Sequence, residues 1–204
     1  RAVQGNYNIG SSIKPFISWS ALHSGIVVAA DKWTDEGFYN LYTIPPENCL
    51  QNGGVARCIF KNATNKRTLR PSSYGPVTLS DALAVSSDCY FYRIGEMFYD
   101  ADENLLQEDL MRFGFGTKSG IQLPYEWKGR LPSDQVKAEL VEAGVLAENE
   151  VPRLVVGDAI QMAIGQGLMA SSPLQLANAY ATLANGGFLL QPTIVNQILA
   201  PLTP

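Results

Sequence analysis

The chain has 204 residues, of which 46% are hydrophobic and 17% charged, a balance typical of one folded globular domain rather than a disordered segment. Its 15 Lys and Arg against 19 Asp and Glu give a formal net charge of -4. That charge argues against a nucleic-acid partner, because phosphate backbones select clustered cations. The local basic run Lys61–Arg70 is interpreted as a solvated loop. No apolar run reaches the roughly 20 residues of a membrane helix, and residues 1–8 lack the apolar core of a signal peptide.

The first predicted element is a helix over Ser11–Ser24. Ile13, Phe16 and Ile17 recur at helical spacing. Pro15 is tolerated only near a helix start, where amide hydrogens lack partners in any case, so the helix is expected to begin close to Ser11.

From Val27 to Arg70 turn residues separate short β-prone pieces, and we predict short strands or a hairpin over Gly37–Ile44 and Val55–Phe60. Cys49 and Cys58 flank a strong turn signal, and a hairpin there would bring them within bonding distance in an oxidising compartment. The sequence leaves the disulfide and the free thiols equally open. With His23 as the only histidine, no Cys/His metal site is expected.

The rest of the chain is mainly helical, with a polar break at Ser86-Ser87-Asp88. Capping residues and apolar periodicity predict helices over Thr78–Val85, Cys89–Tyr99, Glu103–Arg112, Gln135–Leu146, Asp158–Ala163 and Ser172–Ala184. The sequence therefore predicts a helix-rich chain with a small β component.

Ser11-Ser12-Ile13-Lys14 places a hydroxyl and an amine three residues apart at a helix start, where both lie on one face. A hydroxyl is a weak nucleophile until a neighbouring base takes its proton, and a lysine serves as that base when burial lowers its pKa. Serine and lysine are common residues, so this pattern alone is more often a capped helix with an exposed lysine.

Further motifs resemble, in order, those of the penicillin-binding protein transpeptidases. Tyr7–Phe16 (YNIGSSIKPF) resembles Y-x-P-G-S-x-x-K-P-F, with Ile9 at the proline position, and Ser86-Ser87-Asp88 resembles the S-x-N or S-x-D motif. The remaining blocks are Phe113–Pro132 (FGFG, GI, LP and a final proline), Gly157-Asp158, Ile164–Gly167 (IGQG) and Ser172–Ala177 (SPLQLA). The passage around Asp88 is similar to that of the elongation-type class B enzymes.

The resemblance implies an α/β fold of the β-lactamase/transpeptidase type and a serine acyltransferase without metal or cofactor. Ser11 would attack a D-Ala-D-Ala stem peptide of peptidoglycan, and its backbone N–H would form half of an oxyanion hole. Lys14 would be the base, Ser86 would relay protons, and Asp88 would bind Lys14 and the substrate amide. Gln166 and Gly167 would line the substrate-binding floor. β-Lactams would acylate the same serine.

The family's third motif, Lys-Thr-Gly or Lys-Ser-Gly on a later strand, is expected to lie outside this chain. Lys118-Ser119-Gly120 has its letters but falls inside the FGFG block, and we interpret it as a turn. On this interpretation residues 1–204 are a partial transpeptidase domain: the nucleophile helix and the helical lobe, without the N-terminal strands and the strands that carry the third motif.

Two alternatives remain at this stage. One is a β-lactamase or β-lactam sensor of the same fold, and the other is an inert fragment that acts as a structural or interaction module. By resemblance, the expected location is the extracytoplasmic face of the bacterial inner membrane, with any anchor in parts outside this chain. The expected partners are the stem peptide, β-lactams and the cell-wall elongation machinery.

Overall fold

The computed structural model describes residues 1–54, 56–101 and 104–196. A 3₁₀ turn, Gly10–Ile13, leads into α1 (Lys14–His23). The elements that follow in chain order are β1 (Trp33–Asp35), β2 (Phe38–Asn40), β3 (Ile59–Lys61), β4 (Gly75–Val77), α2 (Leu79–Ala84), α3 (Asp88–Ala101), α4 (Leu105–Arg112), α5 (Asp134–Glu142), α6 (Val156–Ala163) and α7 (Pro173–Ala184). The predicted helix-rich architecture with a small β component is confirmed.

The first predicted helix begins differently from the prediction. Residues 10–13 form a 3₁₀ turn, and the α-helix starts at Lys14. Gly10, the first residue of this turn, has a left-handed φ of +56°, which only glycine adopts without cost. Pro15 lies in the first turn of α1, where its missing amide hydrogen breaks no hydrogen bond.

The β component consists of two small antiparallel ladders rather than one local hairpin. β1 pairs with β4, with Trp33 opposite Val77, and β2 pairs with β3, with Phe38 opposite Lys61. The predicted strand pieces are thus longer than the observed strands, and Val55 lies outside the described residues. Cys49 and Cys58 form a disulfide, with Cα atoms 5.6 Å apart, which resolves the alternative that the sequence left open.

Helix capping follows the sequence closely. Thr78 and Asp81 form the predicted capping box of α2, and the Ser172 hydroxyl accepts a hydrogen bond from the Gln175 N–H at the start of α7. α5 ends at Glu142, earlier than predicted, and Gly144 then takes a left-handed φ of +66°. The first residue of the predicted helix Glu103–Arg112 lies outside the described residues.

The core is one cluster centred on α3 and α6. A methyl group at Gly95 of α3 would lie 2.9 Å from the Ala159 carbonyl oxygen and from Ala163 Cβ, so glycine allows the two helix backbones to approach. Phe16 of α1 packs edge-on against Phe113 and Phe115, with ring centroids 5.0 and 5.1 Å apart. These contacts hold α3 against α6, and α1 against the segment that follows α4.

Within the described residues, no helix has the length and apolar character that a membrane span requires.

Candidate active site

Lys14 lies at the centre of the candidate site. The residue is 1% exposed, yet its ammonium nitrogen finds three oxygen acceptors in the break between α2 and α3. Lys14 Nζ lies 2.9 Å from the Ser86 carbonyl oxygen, 3.0 Å from Ser86 Oγ and 2.7 Å from Asp88 Oδ1. The first and second motifs, more than 70 residues apart in the chain, therefore meet at this nitrogen.

Two opposing effects act on the Lys14 amine. Burial disfavours the charged form and lowers the pKa of Lys14, while the hydrogen bond and the negative charge of Asp88 raise it. Burial is the larger effect, so the pKa of Lys14 lies below its ordinary value. A lysine in this state gives up its proton more readily than an exposed one, as a general base requires.

Ser86 occupies a strained position between α2 and α3. Its φ is +55°, a left-handed conformation that is uncommon for residues other than glycine. The Ser86 N–H donates to the Leu83 carbonyl. Ser87 caps the start of α3, since its hydroxyl accepts from the Tyr90 N–H at 3.0 Å. This local geometry directs both the carbonyl and the hydroxyl of Ser86 at Lys14.

Ser11 lies on the 3₁₀ turn in front of Lys14 and is exposed, as an attacking hydroxyl must be. All three contacts of Lys14 Nζ go to Ser86 and Asp88, and none goes to Ser11 Oγ. Among the described residues, no acceptor takes the Ser11 N–H, which leaves it free for an incoming oxygen.

The IGQG block supports the turn of Ser11 through its backbone. The Gly10 N–H donates to the Gly165 carbonyl at 2.9 Å. A Cβ at Gly165 would lie 2.2 Å from the Gly10 carbonyl oxygen, and Gly165 has a φ of +69°. No other residue type fits this contact. On the opposite side, the Tyr180 hydroxyl donates to the Ser12 carbonyl at 2.9 Å.

Gln166 and Gly167 are exposed beside this contact. The Gln166 backbone N–H binds the Gln161 carbonyl, while its side chain makes no hydrogen bond within the described residues. Their role as a substrate-binding floor stays a prediction. Lys118-Ser119-Gly120 lies in a loop outside any helix or strand, where Glu126 accepts from the Ser119 and Gly120 amides.

Several residues that build the site were not singled out from the sequence. The left-handed Gly165 is one, and its signal was present because the IGQG motif contains it. Asp35 and Asn62 are two others: both are buried and hydrogen-bonded behind Ser87 and Cys89. In the sequence they look like a turn residue and part of a solvated loop, so no local pattern identified them. Within the described residues, no group of His, Cys, Asp or Glu forms a metal site.

A family model of the penicillin binding protein transpeptidase domain matches residues 1–203. The chain belongs to that family. The predicted family is therefore confirmed, and the relatives and solved structures that follow confirm its class B assignment and the β-lactamase/transpeptidase fold. Among curated proteins, this penicillin-binding protein chain is 31% identical to the peptidoglycan D,D-transpeptidase MrdA of Acinetobacter baumannii, over 96% of the chain. It is 27% identical to MrdA of Escherichia coli K12, also over 96% of the chain. It spans 25% and 26% of those two relatives' lengths.

Solved structures show the same relationship. The chain matches Pseudomonas aeruginosa PBP2 in complex with WCK 5153 with a TM-score of 0.75 and 25% identity, over 98% of this chain and 40% of the other. It matches PBP2 of Helicobacter pylori in complex with MreC with a TM-score of 0.72 and 25% identity, over 98% of this chain and 32% of the other.

Proposed function

We propose that the protein containing this chain is a peptidoglycan D,D-transpeptidase that works through an acyl-enzyme on Ser11. The observation that carries the proposal is the buried Lys14 amine, held between Ser86 and Asp88 behind an exposed serine. The named function of the MrdA relatives supports it. Because the chain spans about a quarter of those relatives, the activity belongs to the whole protein and the site residues to this part of it.

The partners of Lys14 suggest a proton path. A carbonyl and a carboxylate only accept hydrogen bonds, so the Ser86 carbonyl and Asp88 take the two N–H groups of a neutral Lys14. Its lone pair is then free to accept a proton from a hydroxyl. Ser86 Oγ, 3.0 Å away, is the contact that can both accept and donate, so it suits the transfer of that proton to a leaving amine.

In the proposed reaction, Lys14 accepts the Ser11 proton as Ser11 Oγ attacks the carbonyl of the penultimate D-alanine. The Ser11 N–H donates to the developing oxyanion, a contribution whose loss typically costs about 10²–10³ in rate. Through Ser86 the proton reaches the nitrogen of the departing D-alanine. The acyl group then passes from Ser11 to an amine of a second strand. Gln166 and Gly167 lie beside the Ser11 turn, where the stem peptide would rest.

The same chemistry applies to β-lactams, whose strained amide presents a carbonyl to Ser11. We place the protein at the extracytoplasmic face of the inner membrane, where peptidoglycan is assembled and where the Cys49–Cys58 disulfide is stable. We also propose assembly with the cell-wall elongation machinery, since one solved relative is a complex of PBP2 with MreC and another is a peptidoglycan synthase complex.

Covalent labelling with a fluorescent penicillin tests the proposal in the full-length protein. We expect one label per molecule, carried by the peptide that contains Ser11, and no label in Ser11→Ala. Ser12→Ala is the matched control, because it removes a neighbouring serine hydroxyl and should keep the label. Labelling that survives in Ser11→Ala would exclude Ser11 as the nucleophile.

Deacylation separates a transpeptidase from a β-lactamase of the same fold. The transpeptidase assignment predicts a label that persists for many minutes and D-alanine release from a pentapeptide donor. Rapid turnover of the β-lactam without transfer to an amine acceptor would favour the β-lactamase instead.

A further inference from the structure

A buried polar network lies directly behind the second motif. Its centre is Asp35 at the end of β1, which is fully buried and forms no ion pair with any Lys, Arg or His in the part of the chain that the structure describes. Its carboxylate accepts hydrogen bonds from the Gly37 N–H, from the Asn62 side-chain amide and from the Ser87 hydroxyl. Because an uncompensated buried carboxylate is strongly unfavourable, this set of donors is a requirement of the fold.

Asn62 connects this carboxylate to the backbone of α3. Asn62 Nδ2 lies 2.9 and 2.8 Å from the two Asp35 oxygens and 2.9 Å from the Ser72 carbonyl oxygen. At the other end of the same amide, Asn62 Oδ1 accepts from the Cys89 N–H at 2.8 Å. The side chain therefore uses both its donor and its acceptor group to hold the first turn of α3 against the β ladders.

The network brackets Asp88 in the sequence. Ser87, on one side, donates to Asp35 and accepts from the Tyr90 N–H, and Cys89, on the other side, donates to Asn62. Ser86, immediately before, is in the left-handed conformation. A strained residue keeps that conformation only where its surroundings over-determine it. Hydrogen bonds at Ser87 and Cys89 provide this constraint.

A second buried carboxylate, Glu96 of α3, gives a comparison with Asp35 of β1. Glu96 is also fully buried, and it accepts from the Tyr39 hydroxyl, the Tyr42 and Thr43 amides and the Thr43 hydroxyl. These donors lie on β2, in the case of Tyr39, and in the loop after it, in the case of Tyr42 and Thr43. Glu96 itself lies about two turns of helix away from Asp88. Glu96 therefore anchors a loop, whereas Asp35 and Asn62 are attached to the residues on either side of Asp88.

We propose that Asp35 and Asn62 are positioning residues, which hold Ser86 and Asp88 at the distances from Lys14 that acylation needs. They act through Ser87 and Cys89 and touch neither substrate nor Lys14. This inference rests on the proposed function, because it assigns to the network the alignment of that site's proton path. A displacement of about 1 Å in such a path typically costs on the order of 10²-fold in rate.

Acylation kinetics with a fluorescent penicillin, in the full-length protein, test the assignment. Pseudo-first-order rates measured over a range of penicillin concentrations separate the non-covalent binding constant from the acylation rate constant, and they do not depend on how much protein is folded. Asp35→Asn keeps the shape of the side chain but replaces one carboxylate oxygen with an N–H₂ group. This group faces the donors of Ser87 or Asn62 and cannot accept a hydrogen bond from them. We expect the acylation rate constant to fall about 10- to 100-fold, with the binding constant unchanged.

Ser87→Ala is the second variant, since it breaks the link to Asp35 with a small residue and is expected to lower the same constant. Glu96→Gln is the matched control for Asp35→Asn: it makes the same carboxylate-to-amide change at the fully buried carboxylate of α3. It should lower the melting temperature but leave the acylation rate constant of the folded protein intact. If Asp35→Asn and Ser87→Ala both acylate at the wild-type rate constant, the network is structural and the assignment is wrong. If wild type itself is not acylated at Ser11, the proposed function fails instead.

Discussion

The charge state of Lys14 decides what the site can do at a given pH. An ammonium bound to Asp88 and Ser86 is a stable resting arrangement, but it cannot accept a proton from Ser11. Burial works against this arrangement and lowers the pKa of Lys14, while Asp88 works for it. The site therefore holds a base whose basicity is set by the balance between desolvation and one carboxylate.

The pH dependence of acylation follows from this balance. Since the reactive form has a neutral Lys14, the acylation rate should rise with pH along a limb whose midpoint lies below the usual lysine pKa of about 10.4. Asp88→Asn removes the charge that favours the ammonium, so the midpoint should move to lower pH. Rates of penicillin acylation across neutral and alkaline pH measure both midpoints. An exposed acid far from the site, changed in Glu148→Gln, should leave the midpoint in place, and a shift of Asp88→Asn to higher pH would refute the assignment of Lys14.

The sequence predicted the pair Ser11 and Lys14 because an S-x-x-K spacing has a direct geometric meaning on a helix. It did not predict Asp35 or Asn62. Their importance depends on β1 and β3 lying behind α3, which is a long-range packing outcome with no local pattern. Buried polar residues of this kind resemble loop residues until the tertiary contacts are known.

At the scale of elements, the site depends on a contact between two turns. α6 ends in the loop that carries Gly165, and this loop touches the 3₁₀ turn of Ser11 at Gly10. α6 in turn packs on α3 at Gly95, and α3 carries Asp88 at its first residue. The turn that carries Ser11 and the motif that carries Asp88 are thus connected through α6 as well as through Lys14.

Substitution of Gly165 tests this connection. Gly165→Ala places a methyl group 2.2 Å from the Gly10 carbonyl oxygen, so the Ser11 turn must shift, and acylation should fall by about 10²-fold. Gly144→Ala is the matched control. Gly144 has nearly the same φ, +66° against +69°, but an added Cβ there meets open space. It should lose about 1–2 kcal/mol of stability and keep its acylation rate. Equal rates in both variants would show that the contact does not position Ser11.

The starts of helices were predicted correctly where the capping residue itself gives the signal. Thr78 and Ser172 mark helix starts through their own hydroxyls, and both lie where the sequence placed them. It failed at the start of α1, where a contact with Gly165 supports a 3₁₀ turn that periodicity does not distinguish from a helix. The antiparallel pairing of β2 with β3 joins the two β-prone pieces that the sequence analysis predicted. The pairing of β1 with β4 was not predicted, because each strand has only three residues and the two lie far apart in the sequence.

At the scale of the whole molecule, buried carboxylates tie the small β ladders to the helical core. Asp35 links β1 to the start of α3, and Glu96 links β2 and the loop after it to the middle of α3. Residues beyond that loop, from Pro45 to Cys58, contain two short 3₁₀ turns and are closed by the disulfide. The disulfide therefore lies in a segment that is attached to the helical core but contributes no described residue to the site.

Removal of the disulfide should accordingly affect stability and not catalysis. Cys49 and Cys58 are 9 residues apart, and a loop of this size corresponds to about 2–3 kcal/mol of constrained unfolded-chain entropy. That is a sizeable share of a domain stability of about 5–15 kcal/mol. The double variant Cys49→Ala/Cys58→Ala should therefore unfold at lower temperature or denaturant concentration, while its folded form acylates at the wild-type rate. Reduction of wild type with dithiothreitol should reproduce the same shift, and it should have no effect on the double variant. A large loss of acylation at unchanged stability would instead place the 45–58 segment in contact with the substrate.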